Sequence, residues 1–431
     1  MYDCIAAIAT ASGTGGVAVI RLSGENSLEI AKKMFSPLKN EFKPNFMYAG
    51  NISGDGFTDY GFMVYFKAPK SFTGEDVVEF QCHGGAQIAR GILKKCLLLG
   101  ARSAERGEFT KRAFLNGKLS LASAEGMVDM INAESLALLR AGSMLYGEKL
   151  THEVRAAQDR LKDLLAGVAV EIDYPEEDAD GADMEKIKQS LSEILTEIQR
   201  LIESYKCGKK IKDGVTVAIC GKPNMGKSSL LNALLGYDKA IVSKEEGTTR
   251  DAVEGTLELE GVKYNLIDTA GIRERAGEVE SIGISRAKNI MRSADIVLFL
   301  TDGNSEMTEE INGKLIKVFN KCDINEPCGN CDVVVSAKTG AGLETLKKII
   351  IQNGVGEVAL DKAYIIEERH YAALLRADSA LCSAAENIGA LTLDLIAVDL
   401  KDAWDALGEI TGETATEKII STVFEKFCVG K

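Results

Sequence analysis

Residues 221–228 read Gly-Lys-Pro-Asn-Met-Gly-Lys-Ser, and they decide the fold of the central part of the chain. An apolar run at 215–220 precedes them and a helical pattern at 229–235 follows, which predicts a strand, a glycine-rich turn and a helix. Glycines in such a turn let backbone N–H groups curl around phosphate oxygens. Lys227 is then placed to meet the β- and γ-phosphates of a nucleotide, and Ser228 is placed to bind Mg²⁺.

Four further segments follow in the order that a GTP site requires. Residues 247–251 (Gly-Thr-Thr-Arg-Asp) supply a threonine for Mg²⁺, and residues 268–271 (Asp-Thr-Ala-Gly) end a strand with a carboxylate and a glycine N–H. Residues 320–323 (Asn-Lys-Cys-Asp) end another apolar run, and Asp323 can accept two hydrogen bonds from guanine that adenine cannot offer. Residues 336–338 fit the loop that closes over the base. The predicted GTP-binding residues are Asn224, Met225, Gly226, Lys227, Ser228, Ser229, Ser243, Thr248, Thr249, Asp268, Thr269, Ala270, Gly271, Asn320, Lys321, Asp323, Ser336, Ala337 and Lys338, with Ser228 and Thr249 as Mg²⁺ ligands.

The position after Asp-Thr-Ala-Gly holds Ile272, where many small GTPases carry a glutamine that orients the attacking water. An isoleucine cannot do this, so the water must be held by another residue or by a partner. The candidates are the charged residues that follow, each of which is alternatively a solvated loop charge: Arg273, Glu274, Arg275, Glu278 and Glu280.

The rest of the chain changes character twice. Residues 1–118 alternate short β-branched runs with glycine turns and hold one helical stretch at 86–99, which predicts an α+β domain. Helical periodicity dominates on both sides of the strand–helix alternation at 215–350, so we expect an α/β domain inserted into a helical one. Thr414 and Glu417 fit a capping box for the last helix, and the acidic stretch 171–185 is interpreted as an inter-helix loop. The predicted domains are 1–118, 119–211 (helical, first part), 212–355 (α/β) and 356–431 (helical, second part).

Composition narrows the class of protein. The chain has 431 residues, of which 45% are hydrophobic and 27% charged, as in ordinary globular proteins. No apolar run is long enough for a membrane span, and ten scattered cysteines favour a reducing cytoplasm. The net charge of −13 argues against a surface that binds nucleic acid throughout, although residues 1–118 hold 15 basic and 11 acidic residues.

Several longer motifs carry a resemblance to a known family. They are Gly-Gly-Val-Ala-Val-Ile-Arg-Leu-Ser-Gly (15–24), Ser-Phe-Thr-Gly-Glu-Asp (71–76), His-Gly-Gly (83–85), Gly-Glu-Phe-Thr-Lys-Arg-Ala-Phe-Leu-Asn-Gly-Lys (107–118) and the terminal Cys-Val-Gly-Lys (428–431). With the order of segments, they make the whole chain resemble the MnmE (TrmE) family of tRNA modification GTPases. The resemblance implies an α+β N-terminal folate-binding domain, an all-α helical domain in two chain segments and an inserted Ras-like P-loop G domain. It also implies a cytoplasmic homodimer joined through the N-terminal domains.

In that family the GTPase works with an FAD-dependent MnmG protein, in a heterotetramer, to install an aminomethyl or carboxymethylaminomethyl group at C5 of the tRNA wobble uridine. The resemblance implies a tetrahydrofolate derivative (5-formyl- or 5,10-methylene-) at Arg21, Glu79, Lys118 and Lys431, and cations suit the glutamate tail of folate. Because the chain carries a net charge of −13, we expect the MnmG partner to provide most of the surface that binds tRNA.

The resemblance also implies a potassium ion in the G domain, with ligands at Asn224, Ser243, Glu245 and Thr248. Because the family often has threonine and an aliphatic residue at positions 243 and 245, potassium affinity depends on whether these ligands are backbone carbonyls. Glu280 matches the family's catalytic glutamate, which positions the attacking water. Lys227 of the phosphate loop is the second predicted catalytic residue. Cys428 matches a cysteine proposed to act on the uridine, and its position is equally compatible with a structural role.

Two questions stay open from the sequence alone. Cys328 and Cys331 form a C-x-x-C pair, which is either incidental or part of a zinc site whose other ligands are not evident. The function is either a GTPase that drives tRNA modification or a regulatory GTPase switch in ribosome assembly or signalling, because the α/β domain by itself serves both. A folate-dependent one-carbon enzyme with an incidental GTPase is a third interpretation.

Overall fold

A computed structural model describes residues 3–37, 41–173, 182–237, 255–269, 280–303, 305–327, 329–355, 365–388 and 392–431. The chain forms two compact units. The first comprises Met1–Val128, Tyr146–Lys162 and Trp404–Lys431, and the second comprises Asp129–Leu145 and Asp163–Ala403. The domain boundaries given above stay predictions.

The strands are β1 (Ile5–Ile8), β2 (Val17–Ser23), β3 (Phe35–Ser36), β4 (Met47–Ser53), β5 (Thr58–Phe66), β6 (Val77–His83), β7 (Arg102–Ser103), β8 (Val215–Gly221), β9 (Gly255–Leu259), β10 (Val262–Asp268), β11 (Ile296–Thr301), β12 (Lys314–Phe319) and β13 (Val333–Val334). The helices are α1 (Ser27–Lys32), α2 (Ala86–Leu98), α3 (Glu108–Leu115), α4 (Leu121–Ile131), α5 (Leu136–Tyr146), α6 (Lys149–Asp173), α7 (Ala182–Asp213), α8 (Lys227–Tyr237), α9 (Glu280–Ser293), α10 (Leu343–Asn353), α11 (Glu368–Asn387), α12 (Leu393–Thr411) and α13 (Glu417–Glu425).

The first unit is built on a seven-stranded sheet of order β3-β4-β5-β6-β2-β1-β7. Its pairs are antiparallel except for β1 with β7. Alternate residues of each strand point to opposite faces. One face carries Ile20, Leu22 and Phe80 into a buried cluster with Ile92 and Cys96 of α2. The α+β prediction for this region is confirmed.

The opposite face of this sheet is covered over part of its width. Ile5 and Ala7 of β1 pack there with Phe109 of α3 and with Phe72. Over β4 and β5 the same face leaves Met47, Tyr60 and Phe62 exposed.

The last helix also belongs to the first unit, where Val423 and Phe424 of α13 pack on Leu121 of α4. Its N-cap is Thr416, whose hydroxyl accepts from the N–H of Ile419. The predicted capping box at Thr414 is therefore wrong, and the Thr414 hydroxyl instead donates to the Asp405 carbonyl at 2.6 Å.

The second unit contains a six-stranded sheet of order β13-β12-β11-β8-β10-β9. All neighbours are parallel except β9 with β10. This confirms the α/β fold predicted for this part of the chain. The connection from β11 to β12 spans the 12 residues 302–313, and the described ones form no helix. Met307 and Ile311 cover the sheet there by packing on a cluster that includes Phe299.

Helices that flank this sheet in the sequence also pack together in the second unit. Tyr205 of α7 stacks on Tyr371 of α11, with ring centroids 4.1 Å apart. Both ends of the acidic stretch 171–185 are helical, since α6 runs to Asp173 and α7 begins at Ala182. The predicted loop is thus too long at both ends, and residues 174–181 lie outside the described part of the chain.

Candidate nucleotide and folate sites

The phosphate loop joins β8 to α8 with two left-handed residues, Asn224 (φ 63°) and Gly226 (φ 86°). Glycine is required at 226 for a second reason, because a β-carbon there would lie 2.5 Å from Asn320 Nδ2. The Lys227 ammonium donates to the carbonyls of Gly221 (3.2 Å) and Lys222 (2.9 Å), across the loop. Its charge is thereby held at the turn where the sequence places the phosphates.

The magnesium position rests on two parallel neighbouring strands. Ser228 Oγ, at the start of α8, donates to Asp268 Oδ2 at 2.7 Å, and Asp268 is buried at the end of β10. The next residue, Thr269, donates its hydroxyl to the Ile219 carbonyl at 3.0 Å and fixes the strand end against β8. A hydroxyl and a carboxylate are the hard oxygen donors that Mg²⁺ prefers, so the residues present fit this ion.

The predicted base-binding residues follow β12, at the same edge of the sheet as the phosphate loop, and are tied to that loop. Asn320 Nδ2 donates to the Met225 carbonyl at 3.0 Å, and Lys321 Nζ donates to the Asn224 carbonyl at 2.8 Å. The Ala337 N–H donates to Asn320 Oδ1 at 3.1 Å, and this hydrogen bond holds the loop 336–338 against Asn320. Two motifs about a hundred positions apart therefore form one rigid assembly.

Asp323 lies exposed beside this assembly. Ser336 Oγ donates to Asp323 Oδ1 at 2.6 Å, and this hydrogen bond lowers the pKa of the carboxyl. The side chain is therefore ionised at neutral pH, and an ionised carboxylate can accept hydrogen bonds from N–H groups such as those of guanine.

A cleft of about 940 Å³ adjoins the loop. Its lining includes Asn224, Lys227, Ser229, Thr269 and Lys321, all expected from the sequence. It also includes Met307 and its neighbours 305–309, which sequence reasoning missed, because this stretch carries no motif and only Met307 stands out as apolar among polar residues.

In the first unit, Arg21 of β2 is paired with Glu79 of β6. Arg21 Nε lies 2.7 Å from Glu79 Oε1, and the two residues are directly opposite in register. The guanidinium lies 5.7 Å from the ring centroids of both Phe72 and Phe109. The structure therefore brings three of the quoted family motifs to one spot, where a cation, a carboxylate and two aromatic rings meet.

Two other predicted folate residues lie in the same unit. Lys118 Nζ donates to the Pro69 carbonyl at 3.0 Å. The terminal segment 428–431 lies against the sheet, where Val429 bridges Arg106 and a β-carbon on Gly430 (φ 98°) would lie 2.2 Å from the Ile8 carbonyl oxygen. Lys431 is half-buried and Cys428 is exposed.

Comparison with known proteins places the chain in a family. The family description "GTP-binding protein TrmE N-terminus" matches residues 4–118, and "MnmE helical domain" matches residues 121–428. The tRNA modification GTPase MnmE of Thermoanaerobacter pseudethanolicus is 39% identical over 459 aligned positions, with 100% of each chain covered. The chain belongs to the MnmE family. The MnmE of Natranaerobius thermophilus is also 39% identical, over 100% of this chain and 99% of its own length.

One solved structure is similar to about a third of this chain. It is the G domain of the T. maritima FeoB iron transporter, with 29% sequence identity and a TM-score of 0.24, covering 32% of this chain and 98% of that one. Membership in the MnmE family, together with the nucleotide site, makes this chain a tRNA modification GTPase. Of the three interpretations left open by the sequence, the tRNA modification GTPase is the one supported.

Several predicted MnmE site residues lie outside the described part of the chain. They are Ser243, Glu245, Thr248, Thr249, Ala270, Gly271 and the charged candidates at 273, 274, 275 and 278. Glu280 begins α9, and only its backbone is described. Their roles stay predictions.

The described residues also bear on two other expectations. None of the described helices is long and apolar enough to cross a membrane. Within the described ranges, no group of three or more His, Cys, Asp or Glu side chains is arranged to hold a metal ion. Cys331 is half-buried and Cys328 lies outside these ranges, so the C-x-x-C question stays open.

Proposed function

We propose that this MnmE family member is a potassium-stimulated GTPase which, with an FAD-dependent MnmG-like partner, modifies C5 of the tRNA wobble uridine with an aminomethyl or carboxymethylaminomethyl group. The observation that carries the proposal is the interlocked nucleotide site. Asn320 and Lys321 both hold the phosphate loop, and Ser228 is joined to Asp268, in a chain that aligns end to end with tRNA modification GTPases.

The site's residues divide the work of GTP hydrolysis. Lys227 and the loop N–H groups bind the phosphates, and Ser228 with Asp268 holds Mg²⁺, which neutralises charge on the phosphates when bound. Asp323 selects guanine. Glu280 is proposed to position the attacking water, because α9 follows directly on the segment whose Ile272 cannot.

Potassium is proposed to bind beside Asn224, at the turn of the phosphate loop. An amide oxygen is a suitable ligand for a hard cation, and a positive charge there would stabilise the developing negative charge on the phosphates. We expect faster GTP turnover in KCl than in NaCl at equal ionic strength, with the difference lost in Asn224→Ala. Equal turnover in both salts by the unmodified chain would refute the potassium requirement and leave GTP hydrolysis standing.

A tetrahydrofolate derivative is proposed to bind at Arg21 and Glu79. The aromatic rings of Phe72 and Phe109 suit a flat heterocycle, and Arg21 with Lys118 and Lys431 suits a carboxylate tail. Calorimetric titration of the full chain with 5-formyltetrahydrofolate should give saturable binding that Arg21→Ala abolishes. Unaltered affinity in that variant would place the ligand elsewhere.

The exposed part of the first sheet supports a homodimer. Met47, Tyr60 and Phe62 lie on the face that carries Arg21, next to the part covered by Phe109. Contiguous exposed apolar surface of this kind marks an interaction site, and a second copy of the same sheet can cover it symmetrically.

The dimer is tested by one substitution on this face. Tyr60 is 61% exposed, and Tyr60→Glu should convert the dimer to a monomer in sedimentation analysis. Leu98→Glu is the matched control, since Leu98 is 66% exposed at the end of α2, on the opposite face. A monomeric unmodified chain, or a dimer that tolerates Tyr60→Glu, would rule out this interface.

The tRNA reaction requires the partner in the test. Purified chain, an MnmG-like FAD protein, tRNA and GTP should yield modified wobble uridine, detected by mass spectrometry of nucleosides. Cys428→Ser distinguishes the two roles left open for this residue. Loss of modification with normal GTP turnover supports chemistry at Cys428, whereas retained modification makes its role structural.

A further inference from the structure

Residues 129–137, named here the α4–α5 junction, belong to the second unit and lie against the end of its sheet opposite the nucleotide cleft. The phosphate loop follows β8 and Asp268 ends β10, so both nucleotide-binding elements occupy the carboxyl ends of parallel strands. The junction contacts the other ends. Seven residues of β10 span about 20 Å between the two.

The β9–β10 turn is held by the junction at three points. The Ala137 N–H donates to the Gly261 carbonyl at 2.8 Å, and the Leu136 N–H donates to a Glu258 carboxylate oxygen at 3.3 Å. Lys263 Nζ lies 2.5 Å from Glu134 Oε2. These contacts fix one end of the hairpin that carries Asp268.

The turn itself is stiff and tightly fitted. Glu260 (φ 48°) and Gly261 (φ 81°) are both left-handed, between the paired residues Leu259 and Val262, as in a two-residue hairpin turn. A β-carbon on Gly261 would lie 3.3 Å from that of Leu136. The turn therefore has little room to move independently of the junction.

The same junction holds the strand that leads to the phosphate loop. Lys212, at the end of α7 and three residues before β8, lies 3.0 Å from Asp129 Oδ1 and is also paired with Glu367. Asn265 of β10 donates to the Asp213 carbonyl at 2.8 Å and ties the two strand entries together. The α4–α5 junction thus contacts the amino-terminal ends of β8 and β10. The carboxyl ends of the same two strands carry the nucleotide-binding residues.

We propose that the α4–α5 junction is a positioning element of the GTPase site and senses, through the β8 and β10 strands, which nucleotide is bound. Hydrogen-bonded parallel strands transmit displacement along their length, so a shift of Asp268 relative to Ser228 reaches Gly261 and Lys263. Such coupling is reciprocal: perturbing the junction alters the preference for GTP over GDP, and changing the nucleotide alters the junction. The proposal rests on the GTPase activity and on no other part of the proposed function.

Two variants of the full chain test the proposal. Leu136→Pro removes the N–H that bonds Glu258, at the first position of α5, where proline is tolerated because Ser135 caps the helix through Leu138. Glu134→Gln removes the charge that faces Lys263 and, being exposed, leaves folding intact. The matched control is Glu413→Gln, which breaks an exposed pair with Arg155 in the first unit.

The measurement is the dissociation constant for GDP and for a non-hydrolysable GTP analogue, each with Mg²⁺, and their ratio. We expect at least one junction variant to change the ratio by about fivefold, the lower end of ordinary coupling, while the control leaves it unchanged. Amide exchange at 129–137 should also differ between the two nucleotide states. A lower melting temperature with an unchanged ratio and equal exchange would mean a structural role only. Failure of the unmodified chain to bind or hydrolyse GTP would refute the activity instead.

Discussion

Replacing Gly226 with alanine tests the construction of the phosphate loop. At φ 86° the backbone is left-handed, which costs an alanine roughly 1–2 kcal/mol. The new β-carbon would lie 2.5 Å from Asn320 Nδ2, closer than such atoms approach, so the hydrogen bond from Asn320 to the Met225 carbonyl must break. That loss adds about 1 kcal/mol. The two effects are independent, and their sum is about 2–3 kcal/mol.

We expect this penalty to fall on nucleotide binding, because the loop binds phosphate only in the conformation that alanine opposes. At about 1.4 kcal/mol per tenfold change, GTP affinity should fall by roughly 30- to 150-fold. Fluorescence titration with a labelled GTP analogue measures this directly. Gly167→Ala is the control, since Gly167 lies within α6 with no other described atom near its β-carbon position, and alanine there should stabilise the helix slightly.

Normal GTP affinity in Gly226→Ala would refute the reasoning. It would mean that the loop accepts a β-carbon by moving Asn320, and hence that the link between the base-binding motif and the phosphate loop is not required. A general loss of folding is a different outcome from a local change in the phosphate loop. It would appear as an equal loss of the near-UV circular dichroism signal and of GTP binding, neither of which the Gly167 variant should show.

Three further predictions concern charges. Burial and the Glu367 carboxylate raise the pKa of Asp129 to about 7, so between its usual value and pH 7 the folded chain holds a proton that the unfolded chain has released. The stability contributed by this group therefore falls as pH rises. Between pH 5 and 7 the melting temperature of Asp129→Asn should fall less steeply than that of the unmodified chain. Parallel curves of melting temperature against pH for the two proteins would contradict this. Asp323→Asn should weaken GTP binding and favour a xanthine nucleotide, whose 2-oxo group can accept from the new amide, and an unchanged preference in competition titrations would count against guanine recognition by Asp323. Arg112→Ala should lower the free energy of unfolding by about 3–5 kcal/mol in urea titration, because Arg112 is buried and its loss leaves the mostly covered carboxylates of Glu75 and Glu108 without this cation. Arg102→Ala, at a more exposed position, should cost about 1 kcal/mol or less, and equal losses would refute the distinction.

The α/β class of the central part and the position of its phosphate loop could be predicted from sequence, but the strict alternation of strands and helices was wrong, since β9 and β10 form a hairpin and the described residues between β11 and β12 form no helix. Short motifs such as 221–228 and 320–323 specify local backbone shape and donor type, and these are properties of a few consecutive residues. The ends of helices and strands are predicted less accurately from sequence than their presence. The capping hydroxyl of α13 belongs to Thr416 and not to Thr414, because both positions offer a suitable hydroxyl and that of Thr414 is bonded to the Asp405 carbonyl instead.

Which distant residues lie together could be seen only in the packed chain. Nothing in the sequence near Asn320 says that its amide holds Met225, and nothing near Arg21 says that Phe72 and Phe109 lie beside it. The contact of the α4–α5 junction with Gly261 was equally hidden, because it is a backbone hydrogen bond, from Ala137, between segments more than a hundred residues apart. Such contacts depend on how sheets and helices pack, and backbone groups carry no sequence signature; local patterns therefore predict the parts of this protein, and packing predicts their coupling.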